Sequence, residues 1–130
     1  MSHRVQVRWR DLDGLGHVNH TVVLTYLEEG RDVFLESCGI RRDEYVVGRC
    51  TVNFLAEIVA ASREVEVRCA VSELGRSSLR TRESIVGADG TPVVEAEFGL
   101  VLWDSEARAS RPITDPEREA LTRRSEEVLA

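Results

Sequence analysis

The stretch from His20 to Cys38 constrains this chain more than any other, because it is patterned as a helix and is apolar around most of its circumference. Val23, Leu27, Gly30, Phe34 and Cys38 recur at helical spacing, and Leu24, Tyr26, Val33 and Leu35 widen the stripe well beyond one face. Such a helix needs neighbours on several sides. Asn19 stands at the N-cap position, where its side chain would accept an early backbone N–H, and Gly39 stands where a left-handed residue ends a helix.

The rest of the chain supplies strands to surround it. Arg4 to Arg10 alternate, with Val5, Val7 and Trp9 on one face, and are expected to form a first strand. Val46 to Phe54 reads as a second strand and Arg63 to Glu73 as a third, with Val65, Val67, Cys69 and Val71 facing one way. Gly75-Arg76 turns the chain into a fourth strand, Ser77 to Val86. Asp89-Gly90 then turns it into a fifth, Val93 to Trp103, whose Val94, Ala96, Phe98, Leu100 and Leu102 share a face. Thr114-Asp115-Pro116-Glu117 has the form of a capping box and opens a terminal helix from Asp115 to Ala130. The order is that of an α+β protein in which an antiparallel sheet wraps around the helix at 20–38.

With 130 residues the chain is read as one domain, 1–130. Its net charge of −6 argues against sequence-independent nucleic-acid binding, which relies on a basic surface. All 17 basic residues other than histidine are arginine, so any anion-binding side chain grips through a planar fork. Cys38, Cys50 and Cys69 are odd in number, widely spaced and set in apolar runs, the pattern of reduced core residues rather than of a disulfide framework or a zinc site. No apolar run has the length of a signal segment or membrane span, so the expected location is the cytoplasm, with no membrane partner.

Between the first strand and the helix lies Asp11-Leu12-Asp13-Gly14-Leu15-Gly16-His17-Val18-Asn19, a loop rich in glycine and carboxylates. If Asn19 caps the helix, the free N–H groups near His20 to Val22 point back at this loop and polarise a carbonyl placed there. A carboxylate beside an oxyanion donor supplies the two components of acyl transfer. The residues admit another reading, in which Asp11 and Asp13 are turn formers and His17 and Asn19 satisfy loop backbone groups.

The segment from Val7 to Arg31, VRWRDLDGLGHVNHTVVLTYLEEGR, closely resembles the signature of the 4-hydroxybenzoyl-CoA thioesterase-like branch of hotdog proteins. Asn53-Phe54, Glu73 to Ser78, Asp89-Gly90, Trp103-Asp104 and Arg111-Pro112-Ile113 extend the resemblance over essentially the whole chain. The resemblance implies a hotdog fold of five antiparallel strands around the central helix, with a short C-terminal helix. It implies an acyl-CoA thioesterase that needs no cofactor or metal and works as a homodimer or dimer of dimers. Asp13 would be the catalytic carboxylate, as nucleophile or as general base for water, and the His20 backbone N–H would hold the thioester carbonyl.

The same resemblance puts His17, Asn19 and Val23 among the substrate-binding residues, with His17 ordering the loop and His20 lining the acyl pocket, and places the coenzyme A phosphates near Arg76, Ser77 and Ser78; Arg76 reads equally as an ordinary turn arginine. Relatives often carry Asn at the position of His20 and an aromatic residue at that of Val23, which bears on substrate choice. The spacing of Asp13, His17 and His20 matches no zinc pattern. Glu28, Glu29 and Arg31 read as a solvated or ion-paired helix face, as partners across a dimer, or as site residues. An acyl-carrier-protein thioesterase and a non-catalytic acyl-CoA-binding domain are the alternatives.

Overall fold

The computed structural model describes residues 2–129. It contains β1 (Ser2–Gln6), α1 (His20–Ser37), β2 (Tyr45–Phe54), β3 (Glu64–Leu74), β4 (Ser78–Val86), β5 (Pro92–Asp104), β6 (Ala109–Ser110) and α2 (Asp115–Leu129). The main sheet is antiparallel, in the order β1-β3-β4-β5-β2, and the two residues of β6 add to β5. The expected helix end at Ala130 lies outside the described residues.

α1 begins and ends as its sequence requires. The Asn19 side chain accepts the Thr21 N–H at 2.9 Å, and Gly39 takes φ +84. Its apolar surface packs on the concave face of the sheet, against Val65, Val67, Leu79, Ile85, Val94, Phe98, Leu100 and Leu102. Gly30 makes the closest approach: a Cβ there would lie 2.3 Å from Val67 Cγ1, so glycine sets how near α1 comes to β3.

β1 pairs with β3 only over Glu64–Arg68. Beyond it, α2 shields the β3 edge, where the Val71 N–H donates to Ser125 Oγ at 2.8 Å and Leu121 is fully buried. The α2 capping box is reciprocal: Thr114 N–H donates to Glu117 Oε1 at 2.9 Å and Glu117 N–H to Thr114 Oγ1 at 3.3 Å.

Three expectations need correction. β1 stops at Gln6, and Trp9 lies in a 3-10 turn, Trp9–Asp11, where it is 86% exposed, because the loop turns away before alternation can continue. Cys50 is exposed while Cys38 and Cys69 are buried, since β2 is an edge strand. Of the readings open for Arg31, the ion-paired one holds, but the residue is buried rather than on a helix face in water, and its partner is Glu83 of the same chain. The short β6 is an addition that the sequence pattern does not announce.

β2 is unusual for an edge. Tyr45, Val47, Cys50, Val52 and Phe54 pair opposite Leu102, Leu100, Phe98, Ala96 and Val94, which puts them on the core-facing side. A bulge at Gly48 keeps this alternation in phase. Yet Val47 is 46% exposed and Phe54 52%.

Candidate active site

The loop before α1 is closed on itself by its backbone. Leu12 bridges Val18, Asp11 O accepts the Asn19 N–H at 2.9 Å, and Asp13 and His17 exchange contacts, with Asp13 N–H donating to His17 O at 2.8 Å. Asp13 Oδ1 accepts the N–H groups of Leu15 at 2.9 Å and His17 at 3.4 Å. Gly16, at φ +79, permits the reversal between them.

The two aspartates have different surroundings. Asp11 takes hydrogen bonds on Oδ2 from the buried Tyr26 hydroxyl and from Arg8 N–H, with the Arg8 guanidinium at 3.5 Å. Burial opposes its ionisation, but these donors outweigh it and hold the carboxyl below its usual range. Burial, together with the facing Asp11 carboxylate, raises the Tyr26 hydroxyl. Asp11 is thus committed to joining loop and helix, whereas Asp13 is held only by the loop's own N–H groups.

At the start of α1, Thr21 N–H is taken by the Asn19 side chain, and Val22 and Val23 N–H by Asn19 O. Among the described residues the His20 N–H has no acceptor. It belongs to the positive end of an 18-residue helix and is available to a carbonyl oxygen. His20 also lines a cavity of about 320 Å³ whose walls include Val18, Val23, Phe54, Leu55, Ile58 and Val94, with His17 and Glu57. The His20 and Phe54 rings meet edge to face at 6.4 Å.

Of the residues expected at the site, His17, His20 and Val23 come together in this cavity, whereas Asp13 is not among its lining residues and is tied to it through its hydrogen bonds with the His17 backbone. The Asn19 oxygen is occupied by capping. Arg76, Ser77 and Ser78 lie elsewhere in the chain: Phe54 is level with Val94 on β5 and Ser78 with Val101, about 23 Å along the strand. Arg118 ties that hairpin to α2 through Gly75 O at 2.6 Å. Glu57 was missed. Its Oε2 lies 2.5 Å from His17 Nε2, a contact between residues forty positions apart that leaves no mark in local sequence. A larger hollow, about 740 Å³, lies on the opposite sheet face among Arg68, Arg82, Glu95 and Glu97, whose alternating charges suit a solvated face.

A curled antiparallel sheet around one buried helix, with a free N–H at the helix start and a carboxylate loop before it, defines a hotdog domain. The chain belongs to the thioesterase-like superfamily, whose profile it matches over residues 7–123. A thioesterase from Thermus thermophilus, solved with coenzyme A and Zn, is 32% identical, with a TM-score of 0.85 and coverage of 96% of this chain and 93% of that one. A chloroplastic acyl-acyl carrier protein thioesterase of Arabidopsis thaliana is 30% identical over 111 residues, 78% of this chain and 57% of its own length. A second from the same plant is 28% identical over 119 residues, 84% of this chain and 63% of its length. The chain therefore spans about three fifths of these curated relatives.

Proposed function

We propose that the protein hydrolyses an acyl-CoA thioester to the free acid and coenzyme A, residues 1–130 acting as one cytoplasmic domain. The observation that carries the reading is the unpartnered N–H of His20, a residue that lines a cavity shared with His17 of the Asp13 loop. In this scheme the N–H receives the thioester oxygen, where such a donor is typically worth about 3 to 4 kcal/mol in the transition state. Asp13 attacks the carbonyl carbon or deprotonates the attacking water, and the acyl chain lies against Val23, Phe54 and Leu55. The complex of the Thermus thermophilus relative with coenzyme A supports the choice of thiol.

The working unit of the proposal is a homodimer joined through β2. Its core-facing row is apolar and is exposed at Val47, Cys50 and Phe54, and its backbone edge is unpaired among the described residues. Antiparallel pairing of β2 with a second copy sets the partner's Tyr45 end beside Phe54. Because the hairpin at Arg76 is level with Tyr45, the same operation brings the second copy's Arg76, Ser77 and Ser78 toward the first copy's cavity. The 23 Å separation within one chain is then the distance an intersubunit site requires. An arginine at that place grips a coenzyme A phosphate bidentately.

The test follows thiol release from a panel of acyl-CoA esters by the wild type and by Asp13→Asn. Loss of at least about a hundredfold in kcat supports the assignment, and equal rates refute it. Binding without turnover in the wild type would favour a non-catalytic acyl-CoA-binding domain. A second substrate reading, an acyl-carrier-protein ester, is supported by the names of the two plant relatives. It is opposed by the net charge of −6, which repels an acidic carrier. One acyl group offered on both carriers separates the two.

A further inference from the structure

Glu57 enters the site from a part of the chain unrelated to the Asp13 loop. It follows β2, and backbone contacts fix its position: Val18 N–H donates to Ile58 O at 2.7 Å, and His17 forms a β-bridge with Val59. Its Oε2 sits 2.5 Å from His17 Nε2, within hydrogen-bond reach of the ring. The side chains are 56% and 39% exposed, and an ion pair so placed contributes little to folding. Both line the cavity that His20 lines, and the His17 backbone is clipped to Asp13.

We propose that Glu57 is a positioning residue that holds His17 as the proton donor to the departing thiolate. The proposal rests on the thioester-hydrolase reading above. When the carbon–sulfur bond breaks, its electron pair goes to sulfur, and an alkyl thiolate such as that of coenzyme A leaves more readily if it is protonated as it departs. The His17 imidazolium gives up its Nδ1 proton to that sulfur while Nε2–H stays on Glu57. Whether Asp13 is nucleophile or base, one proton of the attacking water replaces the proton lost to sulfur and the other leaves to solvent as the product acid ionises, so the products are thiol, carboxylate and one proton, and the pair returns to its starting state. A carboxylate that orients an imidazole and compensates its charge is the usual support for a histidine acid.

The experiment carries one acyl group on coenzyme A, on N-acetylcysteamine and on thiophenol, whose aryl thiolate leaves without assistance. Glu57→Gln is expected to lower kcat/KM for the two alkyl thioesters about tenfold, and His17→Gln about a hundredfold, with under about threefold change for the thiophenyl ester. The double variant should be no slower than His17→Gln, and melting temperatures should match the wild type. Equal slowing of all three esters would mean a structural role, and no slowing would mean none; either overturns the proposal. Asp13→Asn, run alongside, loses all three esters if the hydrolase reading holds. Its retention of activity would sink that reading independently of the Glu57 result.

Discussion

Arg31 and Glu83 put opposite charges in the middle of the core. The guanidinium donates to both carboxylate oxygens at 2.9 and 3.0 Å and lies 3.8 Å over the Phe98 ring, while Thr81 Oγ1 donates to Glu83 at 2.5 Å. Burial favours loss of the Arg31 charge, but the Glu83 carboxylate outweighs it and holds the guanidinium protonated. Taking either partner away strands the other without water. Arg31→Met is therefore expected to lose about 3 to 5 kcal/mol of unfolding free energy in urea titrations, whereas Arg31→Met/Glu83→Leu recovers most of it. A double variant no better than the single would show that Glu83 is satisfied by other means. Local sequence marks Arg31 only as a charge on an amphipathic helix, because the carboxylate that buries it is 52 positions away.

At the scale of elements, the two helices were legible because their starts are written in short local codes. Asn19 at α1 and the Thr114–Glu117 box at α2 act within three residues, and both formed as expected. Glu117 does more than cap: Arg111 donates to it at 2.9 and 2.8 Å, joining α2 to the segment after β6. Burial pushes the Glu117 carboxyl up, but the Arg111 and Thr114 donors prevail and hold it below its usual range. A depressed folded-state value makes the contribution fully present above the unfolded value near 4.5, and it is lost as pH falls through the lower folded value. Glu117→Gln should therefore lower stability by about 1 kcal/mol at pH 6, and the gap from wild type should narrow below pH 4.5 and close as the pH falls through the lower folded value. A gap constant with pH would remove the ionised carboxylate from the account. The first strand was overread for the opposite reason: alternation from Arg4 to Arg10 is a local pattern, and the 3-10 turn that exposes Trp9 is set by Asp11 reaching Tyr26 across 15 positions.

At the scale of the molecule, the unburied row on β2 asks for a second copy. Val47→Asp puts a charge on that row while leaving Asp13, His20 and the cavity walls intact. Sedimentation should then show a monomer, with thiol release falling in parallel even though the fold persists by circular dichroism. A monomer as active as the wild type would mean that the site needs no partner.

The sequence by itself determined both helices, the α+β order of helices and main-sheet strands, and the loop that carries Asp13, because periodicity and capping act over a few residues. Tertiary structure alone decided that Arg31 is buried against Glu83, that Glu57 meets His17, and that Arg76 lies a strand's length from His20. Those contacts join distant positions through the curl of the sheet, and no spacing along the chain encodes them.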